Sequence, residues 1–164
     1  MRLAPALALM VALAAVPAGA ETITGTARVV EGDLLSVNGV DLRLFGIDAP
    51  DKGQICENRA GTEYDCFTLS RLALERLTEG RTIACEVKPL KAEPRLAVCR
   101  AGPQNLNATM VRAGWALAYR RLSHDYAGFE ARAMSSRIGL WGGRVEPPWQ
   151  WRDRQLQEKQ KPAP

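Results

Sequence analysis

The stretch Val29-Val30-Glu31-Gly32-Asp33-Leu34-Leu35-Ser36-Val37-Asn38-Gly39-Val40-Asp41-Leu42-Arg43-Leu44-Phe45-Gly46-Ile47-Asp48-Ala49-Pro50-Asp51 decides how the chain folds. Its centre, Asn38-Gly39, is a strong hairpin signal, because both turn positions need positive φ. On the return strand Val40, Leu42 and Leu44 alternate with Asp41 and Arg43, so one face is apolar and Arg43 projects from the other. Upstream, Thr22 to Val30 is rich in β-branched residues, and Glu31-Gly32-Asp33 turns it into the hairpin.

Downstream, the period changes. Cys66, Leu69, Ala73 and Leu77 share one helical stripe between Asp65 and Leu77, and Gly80 offers a stop. Residues 82–87 and 96–100 are strand-like again. Residues 105–113 form a short helix candidate capped by Gly114, and Trp115 to Tyr119 alternates large and small side chains as a barrel strand does. A last helix spans 125–138, with Tyr126, Phe129, Ala133 and Met134 on its inner face. Strands, helix, strands and two helices in this order predict an α+β chain: a five-stranded Greek-key barrel of the OB type with three packed helices.

The 164 residues hold one domain with a real core. Residues 1–20 read as a signal peptide: a basic Met1-Arg2 start, an apolar run from Leu3 to Val16, and Ala18-Gly19-Ala20 as a small-x-small cleavage site. The run is short for a ~30 Å hydrocarbon core, which argues against a stable membrane anchor. The domain then spans 21–152, and the polar residues 153–164 are expected to be a disordered tail. Export to the periplasm or beyond favours disulfides among Cys56, Cys66, Cys85 and Cys99. With a single histidine and no Cys-x-x-Cys, a zinc site is disfavoured. Spacing leaves three pairings open. The local pairs Cys56–Cys66 and Cys85–Cys99 are favoured, the second because antiparallel pairing of 82–87 with 96–100 can bring its sulfurs opposite each other. The formal charge of +4 suits a polyanionic partner without demanding one.

Around the hairpin, Asp33, Arg43, Asp48 and Asp51 fall on turns and strand ends. Two carboxylates can hold a hard divalent cation, an arginine can grip a phosphate with its planar fork, and a third carboxylate can take a proton from water. Residue spacing alone reads equally well as turn geometry and a solvated strand face.

The motifs Val-Val-Glu-Gly-Asp-Leu-Leu and Leu-Arg-Leu-Phe-Gly-Ile-Asp-Ala-Pro-Asp resemble the paired motif of the thermonuclease (staphylococcal-nuclease-like) family. Leu106-Asn107, Met110 to Ala116, Gly139-Leu140-Trp141 and Pro148-Trp149-Gln150-Trp151-Arg152 are similar to later family segments, so the likeness covers residues 22–152. The cysteine positions resemble those of exported members. The resemblance implies a calcium-dependent (Ca2+) nuclease acting as a monomer on DNA or RNA, with single strands preferred. It implies Asp33, Asp48 and the carbonyl of Ala49 as metal ligands, Arg43 on the scissile phosphate, Asp51 as general base and Arg95 as a second transition-state arginine. Tyr119 lies where family members stack a base. Three positions depart from the family pattern: Asp51 stands for glutamate, Leu34 for threonine, and Lys91-Ala92-Glu93-Pro94 replaces the usual lead-in to the second arginine. A nucleic-acid-binding module with little turnover is the alternative that these departures favour.

Overall fold

The structure is a computed structural model that describes residues 21–161, so the signal peptide expected at 1–20 and the last three residues of the tail lie outside it. Strands β1 (Thr22–Gly25) and β2 (Ala27–Glu31) are followed by β3 (Leu34–Val37) and β4 (Val40–Leu44). Asn38 and Gly39 join β3 to β4 with φ of 51° and 78°, as the hairpin signal required. Later strands β8 (Ile83–Val87) and β9 (Arg95–Ala101) complete a sheet of order β1-β8-β9-β4-β3-β2. Every pairing in it is antiparallel except β4 with β9, which is parallel. A single residue, Thr26, separates β1 from β2. One bent strand therefore stands at both ends of the order and brings the sheet round into the expected five-stranded barrel of the OB type.

Short strands dress this barrel. β5 (Ile47–Asp48) pairs with β11 (Leu117–Ala118), β6 (Ile55–Glu57) with β7 (Glu63–Asp65), and β10 (Gln104–Asn105) with the end of β9. The segment at 115–119 is thus a two-residue strand beside the barrel instead of one of its staves. Leu35, Val37, Leu42 and Leu44 of the hairpin meet Ile83, Leu106, Met110 and Val111 in the core.

Helix α1 (Cys66–Thr78) starts at Asp65, whose carboxylate accepts the Thr68 N–H at 2.9 Å. Its buried stripe is Cys66, Ser70, Leu74 and Thr78, offset from the apolar stripe expected from the sequence, and Leu69 is exposed. The offset is tolerated because both hydroxyls are satisfied: Ser70 donates to the Trp115 carbonyl at 2.6 Å and Thr78 to the Leu74 carbonyl at 3.1 Å. Helices α2 (Leu106–Arg112) and α3 (Ala127–Ser136) follow, then a 3-10 turn at Gly139–Gly142. Met134, expected inside α3, is nearly half exposed.

The fold has four α-helices among the described residues, not the three expected. Helix α4 (Pro148–Gln160) runs through most of the segment read as a disordered tail. Pro148 sits in its first turn, where a missing N–H is harmless. The composition is polar, but a few side chains anchor it: Trp149 lies against Tyr119, and Arg154 pairs with Glu146 and Glu158. The cysteines pair as Cys56–Cys66 and Cys85–Cys99, the latter directly opposite in the β8–β9 register.

Candidate active site

A cleft of about 260 Å³ opens where the turns of the N-terminal hairpin meet α4. Asp33, Arg43, Asp48, Asp51, Tyr119 and Arg152 line its polar part, with Leu44, Leu96 and Leu122 as its apolar wall. Close packing sets Asp33. Its neighbour Gly32 has no room for a side chain, since a Cβ there would come within 1.9 Å of Ser70 Oγ on α1. The turn therefore sits directly on the helix, and the Asp33 carbonyl accepts the Leu44 N–H at 2.7 Å.

The Asp33 carboxylate is almost wholly buried. Its Oδ1 accepts from Arg43 Nη1 at 2.7 Å, and its Oδ2 takes the Ala49 N–H at 3.4 Å. Burial pushes its pKa up to about 7. Arg43 pulls the other way, while Asp48 and Glu31 add to the rise. Arg43 reaches across to Glu31 with its second arm at 3.0 Å, so its guanidinium bridges two acids. Those pairs outweigh its own desolvation and hold it above the usual arginine range.

Asp48 lies on β5, opposite Leu117. Arg152 forks onto its carboxylate, with Nη1 to Oδ1 at 3.2 Å and Nη2 to Oδ2 at 2.6 Å. The same Nη1 reaches Asp51 Oδ2 at 2.7 Å. Burial raises both aspartates above their ordinary range, and Arg152 opposes the rise in each. Asp51 is held by its backbone. Its N–H donates to Gln54 Oε1 at 3.2 Å, and its carbonyl accepts the Gln54 N–H at 2.9 Å. Gln54 is completely buried and donates through Nε2 to the Glu146 carbonyl at 2.7 Å. One amide thereby ties the Asp51 turn to the segment that leads into α4.

Asn107 plays a matching part at the other end. Its amide nitrogen donates to the Phe45 and Ala97 carbonyls at 3.0 and 3.1 Å, and its oxygen accepts the Cys99 N–H at 3.0 Å. The chain leaving β4 is fixed to β9 just before it reaches Asp48.

The structure thus gathers Asp33, Arg43, Asp48, Asp51 and Tyr119 at one cleft, with Ala49 beside Asp33. Arg95 lies elsewhere. It opens β9, pairs with both oxygens of Glu21, and is a cross-strand neighbour of Leu42; the residue opposite Arg43 is Leu96, which faces the cleft. Leu34, the other cross-strand neighbour of Arg43, is buried and offers no hydroxyl.

Arg152 lies in a segment similar to the family's, Pro148 to Arg152, but carries no role expected from the sequence. The signal was its spacing of three from Trp149 after a Pro-Pro helix start, which puts both on one helical face. Glu31, expected only to turn the chain, takes the second arm of Arg43.

Among the described residues, no three His, Cys, Asp or Glu side chains converge as a ready-made metal cage. The donor set nonetheless fits a hard divalent cation. Four carboxylates, Glu31, Asp33, Asp48 and Asp51, face two guanidiniums, which leaves a formal excess of two negative charges around buried oxygen donors.

The staphylococcal nuclease homologue family model matches residues 41–143, from β4 through the 3-10 turn, and takes in the Arg43, Asp48 and Asp51 positions. The chain belongs to the staphylococcal nuclease family. Among similar proteins, Protein ParB of Escherichia coli is 34% identical, with 93% of this chain and 90% of that one covered. Micrococcal nuclease of Shigella flexneri is 30% identical over 88% of each chain. An uncharacterized endonuclease of Haemophilus influenzae is 34% identical over 77% of this chain and 72% of its own. The staphylococcal nuclease domain here is a hydrolase domain, and no helix among its described residues is long and apolar enough to cross a membrane.

Proposed function

We propose that this protein is an exported, calcium-dependent nuclease that hydrolyses phosphodiester bonds of DNA or RNA as a monomer, with little sequence preference. The observation that carries the reading is the placement of Asp33, Asp48, Asp51 and Arg43 at one cleft, where, with Glu31 and Arg152 included, the acids exceed the guanidiniums by two. Asp33, Asp48 and the carbonyl of Ala49 would hold the calcium ion, which when bound supplies charge stabilisation at the phosphoryl oxygens.

Arg43 is the phosphate-facing cation of the cleft. A phosphate oxygen can take the arm that now rests on Glu31, and the Asp33 contact keeps the guanidinium aimed. Asp51 accepts from Arg152 through Oδ2, and its Oδ1 has no hydrogen-bond partner among the described residues. That oxygen is the acceptor for the proton of the attacking water as the new P–O bond forms and the scissile one breaks, and the leaving oxygen takes up a proton from solvent. Arg152 holds the Asp51 carboxylate ionised and steady. Its fork is taken up by Asp48 and Asp51 as that of Arg95 is by Glu21, so Arg43 is the one guanidinium of the cleft with an arm to offer the phosphate.

A second reading, oligonucleotide binding with little turnover, rests on the same Arg152 contacts. A guanidinium astride Asp48 and Asp51 competes with a cation and with a water for those oxygens. One assay divides the two. Mature protein with intact disulfides is incubated with denatured DNA and with RNA, in calcium and in chelator, beside its Arg43→Ala variant. Calcium-dependent cleavage lost in the variant supports the nuclease. Saturable oligonucleotide binding without cleavage in excess calcium supports the binding module.

A further inference from the structure

On the far side of Tyr119 from the cleft lies a second groove of about 330 Å³. Its floor is β11, and its walls are Trp149 at the start of α4, Trp141 of the 3-10 turn and Met134 of α3, with Arg120 and Arg121 at the rim. Tyr119 lines both cavities, and its ring lies 5.4 Å from that of Trp149 at 48°. The aromatic pair is a partition with the reacting groups on one side and the groove on the other. Met134 accounts for part of the lining: a large apolar side chain on a surface helix, 47% exposed, stands at the groove. Arg120 gives one arm to the buried carboxylate of Glu130 at 2.7 Å. Arg121 has no carboxylate within ion-pair distance among the described residues.

We infer that this groove is a further nucleotide subsite, which takes the base of the nucleotide next beyond the pair that flanks the scissile phosphate in a single strand, with Arg121 on its phosphate. The inference rests on the nuclease reading for its substrate class and adds where the next nucleotide goes. Three features select that occupant. The groove adjoins the cleft across the Tyr119–Trp149 pair, so a strand gripped at Arg43 reaches it by passing over that pair. Its volume is near the lower bound of small-ligand pockets, about 300 Å³, which suits a single base. Flat rings with a free guanidinium beside them are the elements that hold unpaired bases without reading their sequence, whereas a paired base hides its face in the helix stack.

The test is the length dependence of cleavage. kcat/KM is measured in calcium for a thymidine dinucleotide and for a tetranucleotide, in the unaltered protein and in Met134→Glu and Arg121→Glu, which change exposed side chains. The tetranucleotide is expected to be favoured about tenfold, the order that one stacked base contributes, and that ratio is expected to fall toward one in both variants. Cleavage with no length preference, or a preference untouched by either substitution, overturns the subsite. Should no substrate be cut at all, the nuclease reading has failed separately and the groove is judged by binding. Quenching of tryptophan emission by the tetranucleotide in chelator supports it if the two variants weaken the titration by about tenfold. Quenching equal in all three proteins, or equal for duplex and single strand, overturns it. Concentration-dependent dimers in sedimentation that Met134→Glu abolishes would mean that the groove holds a second copy of the chain, and would overturn it too.

Discussion

Replacing Asp33 by asparagine is expected to make the metal-free protein more stable while removing its catalysis. The carboxyl group is buried, and its proton is held up to about 7 in the folded chain against 3.8 for an ordinary aspartate. At pH 8 the folded state therefore carries an ionised group disfavoured by roughly 4 kcal/mol relative to the unfolded chain. The sign follows from proton binding. Between these two values the folded form holds the proton more tightly, so this contribution to stability is fully present below about pH 4, declines as the pH rises through about 7, and is gone above it. Asparagine has nearly the shape of the protonated acid and no such dependence, and Arg43 keeps its Glu31 contact. In chelator at pH 8, Asp33→Asn should melt higher by several degrees and up to about 10 °C, taking 2–4 °C per kcal/mol for a chain of this size. The gap should shrink toward pH 4. Calcium should raise the melting temperature of the unaltered protein and leave that of the variant in place, because binding to the folded state alone stabilises it. A variant less stable at pH 8 in chelator, or a gap that does not change with pH, would refute the account of Asp33 as a buried charge waiting for a cation.

Asp51→Glu extends the proton acceptor by one methylene, about an ångström, and is expected to raise kcat on denatured DNA by about tenfold or more, since misplacement on that scale can cost about 10²-fold. Arg152→Ala removes the cation that opposes the rise in the Asp51 pKa, so the limb of the pH–rate profile that needs the ionised base should move to higher pH. Gly32→Ala drives a Cβ into Ser70 Oγ and displaces Asp33, so kcat/KM should fall about a hundredfold, and adding Ser70→Ala should recover part of it. Changing Cys85 and Cys99 together to alanine opens a link between residues 14 apart and should lower stability in urea by about 3 kcal/mol.

The barrel was legible because its decisive signals are local. Asn38-Gly39 admits few other turns, and the alternation of Val40, Leu42 and Leu44 fixes which face of β4 is inside and so which way Arg43 points. The cleft was legible for the same reason, since Asp33, Arg43, Asp48 and Asp51 follow one another along a single hairpin. What escaped was what depends on distant packing. Helix α4 is polar along its length, and Trp149, Arg152 and Arg154 hold it by contacts to residues that no window of sequence brings near. Arg95 illustrates the converse. It follows the local pattern, yet the register of β9 on β4 sets Leu96 beside Arg43 and leaves Arg95 to Glu21. The offset stripe of α1 has the same origin, because Ser70 earns a buried position through a carbonyl 45 residues away.

Asp51 and Arg152 meet across 101 residues of chain. A chain that has emerged only as far as α3 already contains the acids of the cleft, with Arg43 as their sole guanidinium partner there and the Gln54 amide without its Glu146 acceptor. Until α4 packs, four acids face one guanidinium in place of two, so the two ends of the chain are joined electrostatically, and a nick between α3 and α4 would free the oxygens of Asp48 and Asp51 from their cation.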